Sequence, residues 1–159
     1  ISLTLVSSLA NAAGPEGMVK GQAIDINSVN RFLTLEELEL MHHKKTGALI
    51  LASIIMGALS TGKATKLQLD ALKNYGISIG LAFQVQDDIL DVSGETKIIG
   101  KLAGSDQALN KATYVKLLGL DGARKKALQL HESAIAALEI FESRFVAPDG
   151  EGAVETLSC

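Results

Sequence analysis

Three aspartates within five residues, Asp87, Asp88 and Asp91, stand at the end of an otherwise apolar stretch, Phe83-Gln84-Val85-Gln86-Asp87-Asp88-Ile89-Leu90-Asp91. On a helix at about 100° per residue, Asp87 and Asp91 lie roughly 40° apart and Gln84 roughly 20° from Asp91. Asp88 falls on the other side of Asp91, so all four share one face. Like charges at this spacing cost a helix a few tenths of a kcal/mol. Carboxylates at a helix C-terminus also oppose its dipole. A hard cation offsets both penalties, because Mg²⁺ takes one or two carboxylates and completes its shell with substrate phosphate oxygens. A solvated acidic helix end is the plainer reading, and the cluster alone does not decide between them.

Basic residues supply the complement. Lys44-Lys45-Thr46-Gly47 precedes an apolar run, Lys101 follows Gly100, and Lys111 lies ten residues further on. Taken singly, each is an ordinary surface lysine whose stem lies along apolar surface. Lysines converging on a metal-loaded acidic helix would instead make an anion site suited to a diphosphate. His42 and His43 are adjacent, so on a helix they point about 100° apart and do not chelate together. They read as partly buried helix residues, and His131 reads as solvent-facing. No dinucleotide-binding glycine fingerprint, phosphate-binding loop or Ser/His/Asp set is present.

The elements that would position these groups are helical. Long stretches of 3.6-residue periodicity and only two prolines, Pro15 and Pro148, predict an all-α protein. Residues 1 to 13 read as the end of a helix, broken by Gly14-Pro15-Glu16-Gly17. A short segment around Gly21 to Asn30 follows. Thr34 with Glu37 forms a capping box that opens a helix to about Leu59, ended by Ser60-Thr61-Gly62. Thr65 with Gln68 opens the next in the same way, to about Val92. Ser93 to Lys111, with Gly94, Gly100 and Gly104, reads as a long functional loop and a plausible lid. A short helical turn begins near Thr113, and Asp121 caps a final helix to about Phe145. Gly47, Gly57, Gly76 and Gly80 inside the central helices point to close helix packing.

Composition narrows the function classes. Aromatics make up 4% with no Trp, which disfavours stacking on single-stranded nucleic acid. A net charge of −3 leaves no basic footprint for phosphate backbones, so no nucleic-acid partner is expected. The longest apolar run, Ala48 to Leu59, is too short to span a bilayer, and no stable membrane insertion is expected. A single cysteine, Cys159, excludes an intrachain disulfide and makes a reducing cytoplasm the expected setting. The chain begins at Ile1 without a basic leader, as though inside a longer gene product.

Four motifs in order carry a family resemblance: Gly17-Met18-Val19-Lys20-Gly21-Gln22-Ala23-Ile24-Asp25, Met41-His42-His43-Lys44-Lys45-Thr46-Gly47, Phe83 to Asp91, and Gly100 to Asp106 with Lys111-Ala112-Thr113-Tyr114. Together they resemble the C-terminal half of trans-isoprenyl diphosphate synthases, the bacterial-type farnesyl and geranylgeranyl diphosphate synthases. The likeness covers residues 1 to about 145. It implies an all-α helical bundle of the isoprenoid synthase type, with residues 1–146 forming the C-terminal portion of one polyprenyl synthetase domain and 147–159 a flexible tail. It also implies a homodimer, and Mg²⁺, with Mn²⁺ as an alternative, held between two facing acidic motifs.

The implied reaction condenses an allylic diphosphate with isopentenyl diphosphate to a short-chain product such as farnesyl diphosphate. The resemblance makes Asp87 the direct metal ligand, with Asp88 and Asp91 supporting it directly or through water. Lys45 and Lys101 match the lysines that hold the allylic diphosphate. Thr46 and Gln84 match polar residues of that pocket, and Lys111 a further lysine near the closing loop. Gln22 and Asp25 sit in the family's glycine-glutamine motif without an assigned role. Lys20 stands where relatives usually have Gly. The first acidic motif, and the basic set for isopentenyl diphosphate, belong to an N-terminal half this sequence does not contain. The 159 residues alone are therefore expected to be inactive. Two alternatives are a non-catalytic subunit of a prenyl synthase and a related terpenoid enzyme. Intact motifs at Asp87, Lys45 and Lys101 disfavour the first, and the Lys-Thr-Gly and Gly-Lys motifs the second.

Overall fold

The computed structural model describes residues 2–93 and 111–142. Among these the chain is all-α: α1 (Ser2–Ala13), α2 (Met18–Asn27), α3 (Leu35–His42), a π-helical turn (His43–Gly47), α4 (Ala48–Ser60), α5 (Lys66–Ser93), α6 (Tyr114–Ala137) and the short α7 (Glu139–Glu142). Residues 94–110 of the expected lid and the expected C-terminal tail, 147–159, lie outside the described residues.

Both expected capping boxes are present. The Thr34 amide donates to Glu37 Oε2 at 2.8 Å and the Glu37 amide to Thr34 Oγ1 at 3.2 Å. The Thr65 amide donates to Gln68 Oε1 at 2.9 Å and the Gln68 amide to Thr65 Oγ1 at 3.3 Å. Each satisfies two amides at a helix start that lack intrahelical partners.

Three boundaries differ from the sequence expectation. The segment Gly21 to Asn30 is helical as far as Asn27, closed by Ser28, whose Oγ donates to Ile24 O at 2.6 Å. Gly21 has low intrinsic helix propensity, but it lies against the backbone of Lys45, and packing overrides propensity there. The helix expected from Thr34 to Leu59 is interrupted by the π-helical turn at His43–Gly47. The final helix does not start at a cap on Asp121: the break falls at Gly119 (φ 72°), and Asp121 Oδ1 accepts from Arg124 Nη1 at 3.3 Å. A positive φ suits glycine, which has no Cβ to clash.

The 28-residue α5 is the central strut and packs along α6 more extensively than any other described pair. Leu33, Leu38, Met41, Val85, Ile89, Tyr114 and Ala123 form the core where α3, α5 and α6 meet. On the opposite side α4, apolar nearly all round, buries only Ala52, with Leu51 and Ile54 resting against Gly76 of α5. The core therefore clamps the acidic end of α5 between the end of α3 and the start of α6.

Candidate active site

The π-helical turn is held from two sides by glycine. A Cβ on Gly21 would overlap the backbone nitrogen of Lys45, and one on Gly80 would come within 3.1 Å of the Gly47 Cα. α2 and α5 thus approach the turn as closely as backbones allow. Turns of this kind insert an extra residue into the helical repeat and occur often at functional sites. Here the turn carries Lys45 toward α2 and Thr46 toward α5. Lys45 Nζ lies 2.6 Å from Asp25 Oδ2, and Thr46 Oγ1 donates to Gln84 Oε1 at 2.6 Å.

Asp25, Lys45 and Gln84 line a small polar cavity of about 170 Å³, together with His42, Asp87, Asp88 and Lys111. Lys111, three residues before the start of α6, places its Nζ 3.8 Å from Asp25 Oδ2, the oxygen that also meets Lys45. A larger hollow of about 510 Å³ lies beside α1 and takes in His43 and Lys44, with Leu51, Ala52 and Ile55 along its wall. The smaller cavity is the better candidate site, because charged groups from α2, the π turn, α5 and the start of α6 all meet there.

The three aspartates of the acidic motif divide by environment. Asp87 is half-buried on the cavity wall. Asp88, 4% exposed, accepts the backbone N–H of Tyr114 at 2.7 Å, so one of its oxygens ties the acidic end of α5 to the first residue of α6. Thr113 caps the same helix start, accepting from the Lys116 amide at 3.2 Å. Asp91 is 2% exposed and is not among the cavity-lining residues. The shared face expected for the motif therefore runs from the cavity at Gln84 and Asp87 into the interior at Asp91. Lys101 lies outside the described residues.

His42 and Asp25 belong to this site, although sequence reasoning assigned neither to it. His42 is buried and stacks on Tyr114, with ring centroids 5.6 Å apart and planes 17° from parallel. The Tyr114 hydroxyl has no hydrogen-bond partner among the described residues. Burial, reinforced by the Lys45 ammonium, lowers the His42 pKa to about 4; Asp25, the nearby Gln84 amide and Asp87 pull the other way. The imidazole is therefore neutral at pH 7. Burial, with Glu39 and Asp88 nearby, pushes the Tyr114 phenol well above its ordinary value. Asp25 did carry a sequence signal. It stands four residues after Gly21, on the same helix face, and a glycine that permits close approach marks the face pressed against a neighbour.

The donor set suits a hard divalent cation that shares a diphosphate. Asp87 and Asp88 bring carboxylates to one wall, and Lys45 and Lys111 stand at the same cavity. Among the described residues no group of three or more His, Cys, Asp or Glu side chains is arranged to hold a metal alone.

Comparison with known proteins gives this all-α bundle its family. Residues 3–140 match the polyprenyl synthetase family, and the chain belongs to it. It is 50% identical over 137 residues to the farnesyl diphosphate synthase of Escherichia coli, covering 86% of this chain and 46% of that protein. A chloroplastic geranylgeranyl pyrophosphate synthase of Capsicum annuum is 44% identical over 144 residues, covering 90% of this chain and 39% of that one. A geranyltransferase from Helicobacter pylori, solved with magnesium and isoprenyl diphosphate, superposes with a TM-score of 0.80 at 36% identity, covering 88% of this chain and 46% of that one. The chain thus spans about half the length of the curated relatives it matches. No described helix is long and apolar enough to cross a membrane.

Proposed function

We propose that this chain is the C-terminal half of a prenyltransferase that condenses an allylic diphosphate with isopentenyl diphosphate to a short-chain product such as farnesyl diphosphate. The observation that carries this reading is the meeting of Lys45, Lys111, Gln84 and Asp87 at one small polar cavity. The likeness to farnesyl diphosphate synthases supports it. Because those relatives are about twice as long, the activity is assigned to the full-length protein, acting as a cytoplasmic homodimer.

In this reading Asp87 would hold Mg²⁺ or Mn²⁺, with Asp88 and Asp91 supporting it directly or through water. Such an ion would supply charge neutralisation at the leaving diphosphate. Lys45 and Lys111 meet the diphosphate oxygens, and Lys101 is assigned to the same diphosphate from the family resemblance alone. The allylic carbon–oxygen bond breaks with its electron pair leaving on diphosphate. The isopentenyl double bond then attacks the allylic cation, and a proton is lost from the adduct. Thr46, bonded to Gln84, fixes the amide that faces this pocket. His42, neutral through burial, adds no positive charge beside Lys45.

The test is a product assay on the full-length protein with Mg²⁺, isopentenyl diphosphate and allylic diphosphates of several lengths. Prenyl transfer that falls by two or more orders of magnitude in Asp87→Ala and in Lys101→Ala is the expected result. Near-wild-type turnover in either variant would remove that residue from the site.

A further inference from the structure

Asp25 belongs to the cavity but cannot serve it as an anion contact, since a carboxylate repels a diphosphate. It is 8% exposed, and one of its oxygens meets two ammonium groups, Lys45 Nζ at 2.6 Å and Lys111 Nζ at 3.8 Å. Those lysines come from the π turn and from the residue group before α6, separated by 66 positions in the sequence. Each keeps about 30% of its side chain exposed, so the pairing leaves both accessible from the cavity. An ammonium has three N–H donors, and a bond to Asp25 leaves others to point at a ligand. Two lysines facing one small space repel each other, and each has a long, entropically free stem. A carboxylate held between them counters the repulsion and limits the stems.

We infer that Asp25 is a positioning residue that holds Lys45 and Lys111 in their diphosphate-binding geometry before substrate arrives. This rests on the functional reading above. α2 is the rigid part of the device, because Gly21, one turn earlier on the same face, sets the distance between α2 and the backbone of Lys45. Asp25 therefore acts at a fixed separation from the turn it controls. It acts on substrate only through the lysines.

This arrangement has a distinctive signature, because removing a negative charge beside an anion site would by itself tighten anion binding. Calorimetric titration of the full-length protein with inorganic diphosphate, without added metal, reads the lysines directly. Asp25→Asn is expected to weaken binding about tenfold and Asp25→Glu to stay within threefold of wild type. In a Lys45→Met/Lys111→Met background the Asn substitution should change affinity by less than twofold, since nothing is left to position. Asp25→Ser carries the same expectation where the Asn variant does not fold. Unchanged or tighter binding by Asp25→Asn, or an equal loss in the double-lysine background, overturns the inference while leaving the proposed function standing. A wild-type protein without affinity for diphosphate in the absence of metal overturns the inference alone; one that still lacks affinity when Mg²⁺ is added overturns the proposed function as well.

Discussion

The bond from the Tyr114 amide to Asp88 predicts that a residue of the acidic motif stabilises the fold in the absence of any metal. Replacing Asp88 by Ala removes a 2.7 Å hydrogen bond to a buried carboxylate and strands the backbone N–H of a fully buried residue. A hydrogen bond to a charged partner contributes about 1.5–3 kcal/mol, and an orphaned buried donor costs about 1–3 kcal/mol, the two overlapping in part. Against this, one negative charge leaves a helix C-terminus already crowded with carboxylates, a gain of about 0.3–1 kcal/mol. The anchoring effect wins by about 2 kcal/mol. For a chain of this size that lowers the melting temperature by roughly 4–8 °C. Asp88→Asn keeps an acceptor oxygen and loses only the charge assistance, so its loss is about 1 kcal/mol. Urea denaturation of wild type and both variants in excess chelator measures this. A residue that only bound metal would leave chelated protein unchanged or make it more stable. Equal or raised midpoints for Asp88→Ala would therefore refute the anchoring role.

Other expectations follow from the same geometry. Gly21→Ala should destabilise the protein by about 1–3 kcal/mol, because the added methyl meets backbone at Lys45 and not a movable side chain; thermal melts give the value. Thr46→Val removes the 2.6 Å bond to Gln84 while keeping the shape, and on the proposed reading should raise the KM for allylic diphosphate several-fold in steady-state assays of the full-length protein. The His42 pKa, lowered to about 4 from an ordinary 6.5, makes stability fall as pH drops through that interval. Above pH 6.5 both folded and unfolded forms are neutral there; between 6.5 and 4 only the unfolded chain takes the proton, so unfolding is favoured. The full effect is about 3 kcal/mol. Chemical denaturation at pH 4 to 7 should show His42→Gln with a shallower acid decline than wild type.

Local chemistry made much of this protein legible from its residues alone. Helix starts at Thr34 and Thr65 follow from capping side chains three residues apart, and such bonds form within one turn whatever surrounds them. The helical carriage of Gln84, Asp87, Asp88 and Asp91 follows from periodicity. Pairing is a different matter, because it depends on which helices meet. Nothing local marks His43–Gly47 as a π turn; it arises where Gly21 and Gly80 press from two sides. The acidic motif looks uniform in one dimension. Packing divides it into Asp87 on the cavity, Asp88 bonded to Tyr114 and Asp91 in the interior. Asp25 and His42 join the site only because α2, the end of α3 and the start of α6 converge. The sequence by itself determined which chemical groups are available and which helices carry them. Tertiary structure decided which charges share a cavity, since Coulomb and hydrogen-bond energies depend on distances across helices that no spacing along the chain encodes.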